Sequence, residues 1–273
     1  MPVLTLDGSK VAYEERGKGE PVILLHGWGS SRKQWLLNLK ALAPRFRAIA
    51  LDLPGFGESE ESAFPYTLDG MAFFLEAFRD ALRLPSFHLL GHSMGGCLSI
   101  RYTVLFPEKV RRLILVSTPT RSASIGLSAL VPGLEYLLSR TYRMRNEDMR
   151  KWMFYRSVYQ PENMDLDFMR TNVKANGLVT RRALVESTRL VRKMDLADDL
   201  RRICQPTLIV FGDKDRSVNP REALRQQDLL PYPYMTILTA CGHCPPYERP
   251  ELFNTLVVDF LEAEGLSDRM EDT

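Results

Sequence analysis

The segment FHLLGHSMGG, residues 87–96, carries the side chain whose chemistry is easiest to name. Ser93 stands between Gly91 and Gly95 in the pattern Gly-x-Ser-x-Gly, after an apolar run and before a stretch that reads as a helix starting near Met94. Small residues two before and two after a serine permit a sharp strand-to-helix turn that exposes the hydroxyl, and the helix N-terminus favours negative charge there. The five-letter pattern also arises by chance in Gly-Ser loops, so its place after a central strand is what gives it meaning. A serine hydroxyl is a weak nucleophile: it needs a base, and the base needs a third group to orient it. The chain has 4 histidines. His26 follows a strand, His88 lies inside an apolar one, and His92 adjoins Ser93 on a turn where neighbouring side chains point apart, which leaves His243 as base. For the acid, residues 206–215, PTLIVFGDKD, end a strand and offer Asp213 and Asp215, and either could equally be a solvated turn carboxylate.

His243 sits inside CGHC, residues 241–244, which invites a redox reading. That chemistry needs Cys241 at the start of a helix continuing through Cys244, so that the helix dipole lowers the thiol pKa. Pro245 and Pro246 oppose it, because each proline pushes the residue before it away from helical geometry; a helix is expected only from about Glu248 or Pro250. Zinc is equally disfavoured, since one cysteine pair lacks the second pair of a four-ligand site.

These residues must be positioned by strands and helices. Apolar, β-branched runs recur as VLTL, KVAYEE, PVILLH, FRAIALDL, FHLLGH, RRLILVS, PTLIVFG and YMTILT. Between most of them lie helical spacings such as Met71, Phe74, Leu75, Phe78 and Leu82. The alternation predicts an α/β fold with a mostly parallel sheet covered on both faces, and the short link Asp7-Gly8-Ser9 predicts an antiparallel hairpin at one edge. From about Pro119 to Leu200 the alternation stops and the text turns helix-like. The expected division is a core of residues 1–119 and 201–273 with a helical cap, or lid, of residues 120–200. Residues 121–202 hold 16 basic and 10 acidic side chains against 36 and 34 in the whole chain, so a basic cap sits on an acidic body.

The formal charge of +2 is too near balance for nucleic-acid binding by bulk electrostatics. No leader-like start and no membrane-length apolar stretch is seen, and the 4 cysteines are too few for a disulfide framework, so a cytoplasmic protein with reduced thiols is expected. Neither a Gly-rich phosphate loop nor a metal-ligand cluster stands out, and no cofactor or metal is expected.

Five motifs in one order, HGWG at 26–29, DLPGFGES at 52–59, GHSMGG at 91–96, GDKDRSVNP at 212–220 and CGHCPPYERPELF at 241–253, resemble the α/β-hydrolase fold family of the serine-nucleophile esterase type over nearly the whole chain. The family's acid usually stands third after the glycine ending its strand and five before a proline; Gly212 and Pro220 fit, which selects Asp215 over Asp213. The resemblance implies a catalytic set of Ser93, Asp215 and His243, and an oxyanion hole made by the backbone N–H groups of Trp28 and Met94. It gives Asp52, Gly55, Gly57 and Ser59 a structural turn beside the site. Dehalogenase and epoxide-hydrolase relatives use an aspartate at the elbow, unlike Ser93. Carbon–carbon bond hydrolases keep the serine but typically show a tryptophan soon after the histidine, where this chain has Cys244-Pro245-Pro246-Tyr247.

The expected activity is therefore hydrolysis of small-molecule carboxylic esters of small to medium acyl chain through an acyl enzyme, with the ring of Trp28 and the cap residues Trp152 and Tyr155 contacting substrate. HGWG and DLPGFG also resemble the esterases that demethylate pimeloyl groups on acyl carrier protein. That resemblance implies docking of an acidic carrier on cap arginines, here Arg140 and Arg143. The alternatives are a carbon–carbon bond hydrolase and a hydrolase-fold binding protein or receptor with slight turnover; a complete Ser-His-Asp set favours catalysis.

Overall fold

The computed structural model describes residues 3–125, 147–176 and 178–264. Eight strands, β1 (Val3–Leu6), β2 (Ser9–Arg16), β3 (Glu20–Leu25), β4 (Phe46–Leu51), β5 (Phe87–His92), β6 (Val110–Val116), β7 (Thr207–Gly212) and β8 (Pro233–Leu238), form one sheet in the order β1-β2-β4-β3-β5-β6-β7-β8. β1 and β2 pair antiparallel through the Asp7-Gly8 turn, β2 joins β4 antiparallel, and every later pairing is parallel. Parallel strands need crossovers, and the helices that supply them bury both faces of the sheet.

That burial explains why the central strands are continuously apolar. In β3 the side chains alternate faces: Ile23 and Leu25 join one cluster with Leu89, Leu113, Leu115, Ile209 and Phe211, while Val22 and Leu24 join a second with Leu90, Ile114, Val116, Leu208 and Val210. The first cluster is closed by α2 (Leu68–Ala81) and α3 (Met94–Leu105). Met71, Phe74, Leu75 and Phe78 of α2 point inward, and Thr67 caps its first turn by accepting from the Gly70 amide at 3.0 Å. The second is closed by α1 (Leu36–Leu42), with Leu39 and Leu42, and by the C-terminal helix Pro250–Glu262, with Phe253, Val257 and Leu261.

Between β6 and β7 the described residues form α4 (Glu147–Ser157), α5 (Leu166–Ala175), α6 (Arg181–Lys193) and α7 (Ala197–Arg201), and contribute no strand to the sheet. The insertion meets the body at the bridge Phe56–Val179 and through the Thr180 amide, which donates to Gly55 O at 2.8 Å. α8 (Arg221–Leu229) links β7 to β8. No helix among the described residues is long and apolar enough to cross a membrane.

One local expectation is corrected. A helical turn, α9 (Pro245–Glu248), begins at Pro245 rather than near Glu248, with prolines in its first two positions. First-turn amides have no acceptor within their own helix, so proline forfeits nothing there. The amides that do bond, Tyr247 and Glu248, reach Cys244 O at 3.1 and 3.0 Å. Arg249 leaves helical geometry (φ −134°, ψ 56°) and separates this turn from α10 (Pro250–Glu262).

Candidate active site

Ser93 sits between β5 and α3 with φ 53° and ψ −118°, a conformation that L-residues avoid. Its backbone is held from both sides. The Ser93 amide donates to Val116 O at 2.8 Å, and Ser93 O accepts from Gly96 N at 2.9 Å and Cys97 N at 3.2 Å. Gly95 lies so close to the end of β3 that a Cβ would stand 2.5 Å from Leu25 O and 2.6 Å from His26 O. Surroundings of this kind can sustain a strained residue, and strain at a partly exposed hydroxyl is a mark of function.

The loop after β3 runs alongside. A Cβ on Gly27 would lie 3.3 Å from Ser93 Cβ and 2.9 Å from His92 Nδ1. The loop that leads into Trp28 thus runs against Ser93, and among the described residues neither the Trp28 nor the Met94 amide has a hydrogen-bond acceptor. The Trp28 ring is partly buried against the larger cluster, with its Nε1 enclosed. His26 shapes this loop: its Nε2 accepts from Leu53 N at 3.0 Å, and burial lowers its pKa, which keeps it neutral.

Asp215 and His243 meet after β7 and β8. Asp215 Oδ1 accepts the amides of Ser217 (2.8 Å) and Val218 (2.9 Å), which turns Oδ2 toward His243 Nδ1 at 2.8 Å. Asp213 does a different job, accepting from Cys241 N at 3.3 Å and pairing with Lys214 at 2.8 Å. With Nδ1 committed to Asp215, Nε2 is the nitrogen of His243 left for Ser93, and among the described residues neither Nε2 nor Ser93 Oγ has a hydrogen-bond partner.

His92, adjacent to the serine, reaches His243 after all. Its Nε2 donates to His243 O at 2.9 Å and its ring lies 4.8 Å from the His243 ring, centre to centre. Burial, then the neighbouring His243, pushes the His92 pKa down to about 3, so it is neutral and its Nε2 carries the proton that the carbonyl receives. His88 is a core residue whose Nε2 pairs with Glu20 at 2.9 Å.

The DLPGFGES loop is held by a buried ion pair. Asp52 accepts the amides of Arg32 (2.6 Å) and Glu58 (2.8 Å) and pairs with the Arg32 guanidinium, which also bonds Glu58 at 2.6 Å. Ser59 Oγ ties the loop to β2 by accepting from Ala12 N at 2.9 Å while donating to Asp52 O at 2.8 Å. Arg32 carries no motif, and its role is visible only through its contacts.

Beside Met94 an apolar pocket opens between the body and α6, lined by Leu53, Phe56, Met71, Met94, Leu98 and Leu190. Its two polar residues turn their hydroxyls to main chain: Tyr66 donates to Pro54 O at 3.0 Å and Ser187 to Ala183 O at 2.5 Å. Trp152 and Tyr155, expected at the substrate, instead lie on the outer face of α4, 54% and 47% exposed, with the Arg156 guanidinium 4.9 Å over the Trp152 ring. Inward from α4, Met153 packs against the larger cluster, and Phe154 joins Val158, just past the helix end, against Met169, Val173 and Cys244. Arg140 and Arg143 lie outside the described residues.

The four thiols are free. Cys241 belongs to the cluster under the sheet with Phe253 and Val257, whereas Cys244 belongs to the insertion's cluster with Phe154 and Val158. Burial pushes both thiols well above their ordinary range, the reverse of what redox chemistry needs. Among the described residues no group of His, Cys, Asp and Glu could hold a metal ion.

The alpha/beta hydrolase fold family matches the chain over residues 20–250. The 2-hydroxy-6-oxononadienedioate/2-hydroxy-6-oxononatrienedioate hydrolase 2 of Pseudomonas putida is 30% identical over 262 residues, covering 92% of this chain and 91% of that one. The hydrolase acting on the same compounds in Escherichia coli K12 is 29% identical over 266 residues, with the same coverage of 92% and 91%. Among solved structures, a thermophilic esterase from Thermogutta terrifontis superposes with TM-score 0.81 at 25% identity, covering 95% of this chain and 96% of that one. The enol-lactonase of Burkholderia xenovorans LB400 gives TM-score 0.85 at 21% identity over 96% and 100%, a likeness of fold.

Proposed function

The chain belongs to the α/β-hydrolase fold family and is a hydrolase, and we propose that it cleaves carboxylic esters through an acyl enzyme on Ser93. The observation that carries this reading is a strained, partly exposed serine whose sequence neighbour His92 contacts a histidine already oriented by a carboxylate. Ser93 Oγ attacks the ester carbonyl while His243 Nε2 takes its proton. The negative charge that develops on the carbonyl oxygen is met by the amides of Trp28 and Met94. Collapse breaks the C–O bond, and His243 returns the proton to the leaving alkoxide. Water then repeats the sequence on the acyl enzyme, releasing a carboxylic acid and restoring Ser93. Asp215 holds the imidazole and stabilises its cation.

An apolar acyl group suits the side of the site beside Met94, where the described lining is apolar and both its hydroxyls are engaged. A second reading, carbon–carbon bond hydrolysis, is favoured by the named relatives. A dioate is a dicarboxylate and calls for cationic partners, and among the described residues of this lining there is no Arg or Lys. The basic insertion keeps an acidic carrier protein within the ester reading, as the vehicle for a methyl ester. Turnover of p-nitrophenyl esters from acetate to laurate, compared with turnover of a 2-hydroxy-6-oxo-dienedioate, tests the choice. Ester kcat/KM above that for the dienedioate, abolished in Ser93→Ala, is expected. A dienedioate kcat/KM exceeding every ester's would transfer the assignment to the second reading, and salt-insensitive turnover of a carrier-borne methyl ester would remove electrostatic carrier docking.

A further inference from the structure

The short loop bearing His243 is gripped at four main-chain groups around the imidazole. His243 N donates to Ser157 O at 2.8 Å, and His243 O accepts from His92 at 2.9 Å. On either side, Gly242 N and Cys244 N donate to Glu248 Oε2 and Oε1, each at 2.8 Å. The same Oε2 accepts from Tyr159 N at 2.7 Å. Ser157 ends α4 and Tyr159 follows it, so both belong to the insertion. One carboxylate thus binds the residues before and after the base and, with them, the segment that folds over it. The fit is close: a Cβ on Gly242 would stand 2.9 and 3.0 Å from the two Glu248 oxygens and 2.8 Å from Tyr159 N. Apolar contacts reinforce the junction, with Tyr247 stacked on Phe154 at 5.7 Å and 8°.

We propose that Glu248 is a positioning residue for His243, joining the base loop and the insertion into one unit that keeps the imidazole aimed at Ser93. The proposal rests on the assignment of Ser93 and His243 as nucleophile and base. A carboxylate can accept all three main-chain bonds; glutamine of the same shape offers one oxygen and turns an NH₂ group against at least one N–H donor. The loop must then shift, and misplacement of a catalytic group by about 1 Å costs on the order of 10²-fold in rate.

The test measures kcat and KM for a p-nitrophenyl ester, and the rate of fluorophosphonate labelling of Ser93, in Glu248→Gln at a temperature where circular dichroism shows it folded. The expected result is kcat lower by about 10²-fold with KM little changed, and labelling slowed in parallel, as for loss of an interaction used in the transition state. Parental kcat in the folded variant, or a rise in KM that accounts for the whole loss, would overturn the proposal. Should Glu248→Gln fail to fold, Gly242→Ala displaces the carboxylate without removing it, and the same split between kcat and KM is required of it. His243→Ala at parental turnover would instead retire the underlying triad reading.

Discussion

Replacing Asp215 by asparagine tests the site at the point where geometry makes the firmest demand. Two main-chain amides, Ser217 N and Val218 N, point at Oδ1 from 2.8 and 2.9 Å. An asparagine must keep its oxygen there, because turning the amide over would set its NH₂ against two donors. Its NH₂ then faces His243 Nδ1, which must lose its proton to accept the bond. The proton moves to Nε2, and a protonated Nε2 cannot take one from Ser93. The Asp215→Asn side chain therefore holds the ring in place in the wrong tautomer, and kcat should fall by about 10⁴-fold, about 5.4 kcal/mol of transition-state stabilisation. The turn bonds survive, so the melting temperature should scarcely move. Asp213→Asn is the control: it perturbs main-chain bonds at Cys241 and Ala240 and the Lys214 pair, away from the His243 ring, and kcat should stay within about threefold, as for a surface substitution. Steady-state ester hydrolysis with thermal melts measures both. Asp215→Asn within about tenfold of the parent, or the larger loss in Asp213→Asn, would refute the reasoning.

Three further outcomes are expected. Glycine normally destabilises relative to alanine by about 0.5–1 kcal/mol, but at φ 53° the order should reverse, so Ser93→Gly should melt above Ser93→Ala while both lose turnover by about 10⁶-fold. Because the His92 pKa drops from 6.5 to about 3 on folding, the unfolded chain binds a proton in that window that the folded one refuses. Stability should fall as pH falls from 6.5 toward 3, by up to about 1.4 kcal/mol per pH unit, and denaturant unfolding of His92→Gln should show a correspondingly shallower slope. Thiol titration of the native protein with an aromatic disulfide should label Cys204 alone, because Cys97, Cys241 and Cys244 are buried; rapid labelling of Cys241 or Cys244 would contradict their placement.

The sheet is readable because parallel strands covered on both faces leave no room for polar alternation: in PVILLH or PTLIVFG the central residues must be apolar, whichever way they point. Ser93 is readable for a related reason, since a tight strand-to-helix turn admits few residue types around it. Asp213 and Asp215 cannot be separated by residue type. What separates them is a pair of amides two and three residues beyond Asp215, and only the family's spacing anticipates it. Contacts across long separations leave still less trace. Asp52 and Arg32 find each other as a buried ion pair, and His92 reaches a carbonyl 151 residues away.

The insertion exposes the limit of reasoning from residue type. Trp152 and Tyr155 attract attention as aromatic, yet aromaticity does not say which side of a helix faces in. The inward side of α4 is set by Met153 and Phe154, with Val158 continuing it just past the helix end; Trp152 and Tyr155, on either side of that pair in sequence, turn outward. The same geometry separates Cys241 from Cys244. They flank the Gly242-His243 pair in sequence, but the first is buried beneath the sheet and the second beneath the insertion, and the imidazole lies where these two packing units meet. A motif that looks like paired sulfur chemistry is thus two separate anchors for one loop. Substituting both cysteines by serine should then act on the loop through lost packing, and the resulting loss of activity should be the same under oxidising and reducing conditions. A difference between those conditions in the parent enzyme that vanishes in the double variant would restore a redox role to the pair.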